Sequence, residues 1–316
     1  MDNLRAAQHS KRAAVAELAD ARDLKSCVAR VACRFESGRR HQNISKGRNA
    51  MNKWFVASDI HGFFTVFRSE LTKKGFDINN PEHKVIICGD LLDRGSEAVP
   101  LFEFVKDLHS QGRLIYVRGN HEDLLFDCVR DIVCCGVPGL HHKSNGTVDT
   151  ICQFCNEKQW IVYDPSKKRD VLDAMRPILE FFEDNCVDYA EVGDYVFVHG
   201  WIPVYEGLDD FRKATPEDWK HARWDNGMEM WRNPHCRVEG KTIVCGHWHC
   251  SWGWSHLRLE RKEFPSKSRD GWESSFEPFK DDGIIAIDAC TAYSGLCNVI
   301  VVDDNGEGDE SHGDTQ

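Results

Sequence analysis

The chain has 316 residues, with 40 Lys or Arg against 51 Asp or Glu, and a formal charge of −11. Hydrophobic residues make up 41% and charged residues 29%, a globular composition with ample material for a core. No apolar run approaches the roughly 18 residues that span a bilayer, and the acidic balance argues against a protein that coats nucleic acid.

The first segment, residues 1–50, differs from the rest. It carries a net +6, whereas residues 51–316 carry −17. It holds no clean hydrophobic period, and Arg34-Phe35-Glu36-Ser37 matches one reading frame of the common T-arm string of transfer-RNA genes. Residues 1–50 are therefore expected to be a spurious or disordered leader, with Met51 as the true start. The 14 cysteines are scattered, several inside apolar runs such as KVIICGD and KTIVCGH, which fits buried, reduced thiols and a cytoplasmic location. A lone CxxC at Cys152 and Cys155 is too few ligands for a structural zinc site.

From Met51 short apolar runs alternate with helical patterns. WFVAS from Trp54 precedes FFTVFRSELTKK, KVIIC from Lys84 precedes EAVPLFEFVKDLH, and RLIYV from Arg113 precedes EDLLFDCVRDIV. Such alternation is the pattern of βαβ units. YVFV from Tyr195, TIVC from Thr242, IIAI from Ile284 and LCNVIVV from Leu296 read as further strands, the last two as a hairpin. Asp59 and His61 follow the first strand; Asp90, Asp93 and Arg94 follow the second; Asn120 and His121 follow the third. His199 follows YVFV, and His247 and His249 follow TIVCG. Ligands of open α/β sheets bind outside the carboxyl ends of strands, and these oxygen and nitrogen donors suit borderline divalent metals.

The series DIHG, GDLLDRG, RGNHE, HG and GHWH resembles the motifs of the calcineurin-like metallophosphoesterases, across nearly all of residues 54–302. GDLLDRG and GNHE are most similar to the serine/threonine phosphoprotein phosphatase branch of bacteria and phage. The resemblance implies an α/β fold, a four-layer αββα sandwich of two mixed sheets flanked by helices. It implies two divalent ions, with Mn2+ expected and Fe or Zn as alternatives. Asp59, His61 and Asp90 would hold the first, and Asp90 would bridge to a second held by Asn120, His199 and His247. Water shared by two ions roughly 3.5–4 Å apart is deprotonated near neutral pH and can attack phosphorus in line. His121 is the expected general acid, Asp93 its orienting partner, and Arg94 a fork for two phosphoryl oxygens. Arg223 and Arg232 are candidates for a second substrate arginine. His249 departs from the phosphoprotein pattern, since GHxH is used by phosphodiesterase and nuclease branches; it either joins the first metal or lines the site.

These features predict a phosphomonoesterase acting on phosphoserine and phosphothreonine proteins or a small phosphoester. The alternatives are a symmetrical dinucleoside polyphosphate hydrolase and a nucleotide phosphodiesterase or RNA-end phosphatase; a non-enzymatic scaffold is disfavoured because no ligand position is lost. Stable nucleic-acid or membrane binding is not expected. The catalytic domain is expected over residues 51–303, with a helical cap at about 145–185, a Trp-rich insertion at about 250–281 and an acidic disordered tail over 304–316. Eight of the ten tryptophans lie between Trp201 and Trp272, either as packing of that insertion or as an aromatic rim for a base or side chain.

Overall fold

The computed structural model describes residues 41–43, 52–258 and 275–304. Most of the leader, the centre of the Trp-rich insertion and the acidic tail lie outside the described residues. Among the described residues, eleven strands form two mixed sheets. The first sheet contains β2 (Lys53–Ala57), β3 (His83–Cys88), β4 (Leu114–Val117) and β5 (Cys186–Val187), all parallel, with β11 (Ile300–Asp303) antiparallel on the outer edge of β2. The second runs β1 (His41–Asn43), β6 (Tyr189–Val192), β7 (Tyr195–Phe197), β8 (Thr242–Cys245), β10 (Ile284–Ala286) and β9 (Phe279–Asp281). β1 falls inside the leader and pairs in parallel with β6.

Alternation along the strands explains the layering. In β2, Phe55 and Ala57 join a core with α1 (Phe64–Lys73), α2 (Ala98–Ser110) and α3 (Asn120–Cys135). Trp54 and Val56 face the other way, packing with Ile86, Val117, Phe197 and Val244 between the two sheets. Val196, Val198, Ile243 and Cys245 of the second sheet point outward to a third core with Trp201, Trp219 and Met228. Three apolar layers thus separate four structural ones, in the order helix, sheet, sheet, helix. The strands are buried on both faces, which is why they read as continuous apolar runs rather than alternating ones. Each fully buried Ile, Val or Phe contributes about 1.5–3 kcal/mol relative to exposure.

One expectation changes in the structure. IIAI and LCNVIVV do not form a hairpin: β10 pairs with β8 and β9, whereas β11 pairs with β2 in the opposite sheet. The chain crosses between sheets through a turn at Thr291–Ser294, entered by Cys290 at φ 52°. The hairpin is instead β9–β10, closed over Asp282 and Gly283. After α4 (Leu140–Ser144), the segment expected as a cap contains α5 (Thr147–Cys155) and α6 (Lys168–Asn185), whose apolar faces belong to the same core as α2 and α3.

Parallel register aligns the strand ends that bear the polar motifs. Ala57 is opposite Ile87, and Cys88 is opposite Val117. The ladder continues past the strands, with Asp59 N donating to Gly89 O at 3.1 Å and His61 N donating to Asp90 O at 3.0 Å. Glu122, in the first turn of α3, ties these loops together. Its carboxylate accepts from Asp90 N at 3.1 Å, Gly119 N at 2.7 Å, Leu91 N at 3.1 Å and the Tyr116 hydroxyl at 2.7 Å. Glu122→Gln turns an amide donor towards buried N–H or O–H donors. It should cost about 2–3 kcal/mol of stability, read as a lowered urea midpoint at unchanged m.

Candidate metal centre

The left-handed backbone region is sparsely used by residues other than glycine. Of the eight such residues among those described, six are Asp59, His61, Asp90, Asp93, Arg94 and His247. Strain of this kind persists only where surrounding bonds over-determine it. Two glycines make room for the donors. A Cβ on Gly89, at φ +82°, would lie 2.5 Å from His199 Nδ1, and one on Gly246 would collide with the Asp59 carboxylate.

These loops bring two groups of donors together around Asp90. His61, Asp90 and His121 place ligand atoms within 4.8 Å of one another, as do Asp90, His199 and His247. Asp90 is common to both. His61 Nε2 lies 3.7 Å from Asp90 Oδ2 and 3.9 Å from Asp59 Oδ1, and His199 Nε2 lies 3.3 Å from Asp90 Oδ1. Asn120 Oδ1 is 2.8 Å from His199 Nε2, and His247 N donates to Asp59 Oδ2 at 2.9 Å. Carbonyl acceptors set the tautomers. His61 Nδ1 donates to Leu92 O at 3.0 Å and His199 Nδ1 to Cys88 O at 2.8 Å, which leaves each Nε2 as the ligating nitrogen.

The electrostatics fit cations. Burial, with His121 and Arg94 nearby, holds His61 well below its usual pKa. Burial, His199 and His121 push His247 down to about 3. Both imidazoles therefore present lone pairs. Burial, reinforced by Asp59 and Glu122 and opposed by His121, raises the Asp90 carboxyl well above the ordinary range. Bound divalent ions reverse that penalty, because they are the largest local charges. The Arg94 guanidinium already lies among these groups, with Nη1 2.6 Å from His61 Nε2 and Nη2 3.0 Å from His121 Nε2. A buried nitrogen–oxygen donor set that already accommodates positive charge is suited to divalent cations.

His121 differs from the other imidazoles. Burial alone lowers its pKa, but Asp90 and the hydrogen bond to Asp93 outweigh this and raise it. Its Nδ1 donates to Asp93 Oδ2 at 2.7 Å, so a proton on Nε2 makes an imidazolium that Asp93 stabilises. Arg94 is exposed at the edge of the donor cluster.

Other expected site residues fall elsewhere. Arg223 is buried, donating to Asp123 Oδ2 at 2.8 Å and Asp188 Oδ1 at 2.6 Å. A buried guanidinium committed to two carboxylates is turned away from substrate; it ties α3 to the chain beside β5. Arg232 is exposed and outside the donor cluster. His249 is in neither three-donor group, and its Nε2 lies 3.9 Å from Asp288 Oδ2. Cys152 is buried and Cys155 half-buried, both as free thiols. Sequence reading missed Asp288, although it follows the IIAI strand as the other site acids follow theirs. It also missed Thr147 and Thr150, whose hydroxyls donate to Asp93 at 2.9 and 2.7 Å.

A family model described as calcineurin-like phosphoesterase matches residues 53–251. The chain belongs to that family. As a metallophosphoesterase it is a hydrolase. It is 32% identical over 205 residues to the asymmetrical bis(5'-nucleosyl)-tetraphosphatase PrpE of Bacillus velezensis, covering 61% of this chain and 76% of that protein. The same-named Bacillus subtilis protein is 34% identical over 77 residues, and there the match spans only 32% of its length. Among solved structures, a protein serine/threonine phosphatase from Saccharomyces cerevisiae has a TM-score of 0.48 at 17% identity, covering 89% of this chain and 82% of that one. A cold-active protein-tyrosine phosphatase of a Shewanella species has a TM-score of 0.45 at 13% identity, covering 87% and 83%.

Asp90 belongs to both donor groups, which predicts that binding at one depends on the other. Asp90→Asn should weaken both ions, whereas His61→Ala should chiefly weaken one. Metal analysis after dialysis reads this directly, and two full sites in Asp90→Asn would contradict the bridge.

Proposed function

We propose that this phosphoesterase hydrolyses phosphomonoesters with a basic leaving oxygen, foremost phosphoserine and phosphothreonine in proteins. The observation that carries this reading is the Asp93–His121 pair, joined at 2.7 Å, with His121 Nε2 directed at the exposed Arg94 fork. When bound, two divalent cations supply an activated water and offset charge on the phosphoryl oxygens. The donor set mixes carboxylate and imidazole, which suits Mn2+, Fe or Zn. Arg94 presents two terminal nitrogens to two phosphoryl oxygens. His121 gives its Nε2 proton to the departing alkoxide while Asp93 holds the imidazolium from Nδ1. A serine alkoxide is strongly basic and needs that proton; an aryl or polyphosphate leaving group needs it far less.

A second reading is hydrolysis of dinucleoside polyphosphates. The names of the Bacillus relatives favour it. Two half-exposed tryptophans add to this: Trp224 and Trp248 stand edge-on to His247, with ring centroids 5.7 and 6.5 Å away, and such faces can stack a base. Among the described residues no helix is long and apolar enough to cross a membrane. The described cysteines are free, which supports a reducing, cytoplasmic setting.

The test compares a phosphoserine peptide, p-nitrophenyl phosphate and dinucleoside tetraphosphate with added manganese. His121→Asn should lose about 10²–10⁴-fold on the phosphopeptide and much less on the aryl ester, at unchanged metal content. Equal losses on both would remove the general-acid role. Turnover confined to the dinucleotide would establish the second reading in place of the first.

A further inference from the structure

Asp93 and Arg94 are consecutive residues with φ of 73° and 65°. Each left-handed residue of this kind costs on the order of 1 kcal/mol or more, so the pair needs external support. That support comes from one face of α5. Asp93 N donates to Thr150 Oγ1 at 3.0 Å, and Thr150 Oγ1 donates to Asp93 Oδ1 at 2.7 Å. Thr147 Oγ1 donates to Asp93 Oδ2 at 2.9 Å, the same oxygen that accepts from His121 Nδ1. One turn further on, Gln153 Nε2 donates to Gly95 O at 3.0 Å, and Gln153 Oε1 accepts from Ala98 N at 2.9 Å.

Residues 147, 150 and 153 recur every three positions and so share a helix face. Val148, Ile151 and Cys152 point the other way and anchor α5 in the helical core. Both threonines are fully buried, so water cannot replace their hydroxyls. With Oδ1 fixed by Thr150 and Oδ2 shared by Thr147 and His121, the Asp93 carboxylate cannot rotate, and neither can the imidazole it holds.

We propose that Thr147 and Thr150 are positioning residues for the reaction: through Asp93 they hold His121 in line with the departing oxygen. The proposal rests on His121 acting in catalysis. It gives α5 a second task besides packing, because any shift of this helix moves the Asp93–His121 pair.

The test is a double-mutant cycle. Thr147→Val and Thr150→Val remove a hydroxyl at near-constant shape, and Thr147→Ser and Thr150→Ser retain it. Each Val variant should lower kcat on a phosphoserine peptide by about tenfold, with little change in KM or metal content. The loss on p-nitrophenyl phosphate should be smaller, and the Ser variants should recover most of the rate. In a His121→Asn background the Val penalty should disappear, because residues acting through one another are not additive. A penalty retained in full in that background, or Val variants with wild-type turnover, would overturn the proposal. His121→Asn losing equally on both substrates overturns the general-acid role separately, and the coupling of threonine to His121 still decides the positioning claim. Should Thr150→Val not fold, Thr147→Val leaves both Thr150 bonds intact and carries the same cycle.

Discussion

The structure depends on one buried carboxylate that serves two groups of donors. Asp90 is 1% exposed and lies within 4 Å of the Nε2 atoms of His61, His121 and His199. Burying charge without compensation is costly, and burial keeps the neighbouring His61 imidazole neutral, so it supplies no counter-charge. Cations at this point turn the penalty into binding energy. The same placement explains why the centre sits at the edge where the two sheets meet: β2, β3 and β4 bring Asp59, His61, Asp90 and Asn120 from one side, and β7 and β8 bring His199 and His247 from the other.

Holding the donors there requires backbone that ordinary loops avoid. Six of the eight left-handed residues other than glycine among those described fall in loops that leave the strands, and these loops are locked by bonds that run beyond the sheet. Glu122 fixes the β3 and β4 exits, α5 fixes the loop at Asp93 and Arg94, and the Gly246 N bond to His199 O at 2.7 Å ties the β7 and β8 exits. The centre is thus preorganised by groups that never meet a metal. This division of labour is expected where geometry must be kept to a fraction of an ångström.

Much of this was legible in the sequence because the signals are local. An apolar run followed at once by Asp, Asn or His gives both the strand and the residue at its end, and GDLLDRG and RGNHE fix the order of roles. What was not legible depends on partners far along the chain. Arg223 looked like a substrate arginine because its partners, Asp123 and Asp188, lie 100 and 35 residues away. The final strands looked like a hairpin because both are apolar and close in sequence, yet each completes a different sheet. Thr147 and Thr150 carry no motif; only the packing of α5 against the Asp93 loop gives their hydroxyls a partner. Asp288 was within reach of the strand-end rule, and its omission came from reading Ile284 onward as a closing hairpin.

We propose that Asp90 joins two ions into one centre. Electron paramagnetic resonance of the protein loaded with two equivalents of Mn2+ tests it most directly. Two ions bridged by a carboxylate are exchange-coupled, so the account predicts a multiline spectrum with hyperfine spacing half that of an isolated ion. A spectrum containing only the six lines of isolated Mn2+ at full occupancy would contradict it.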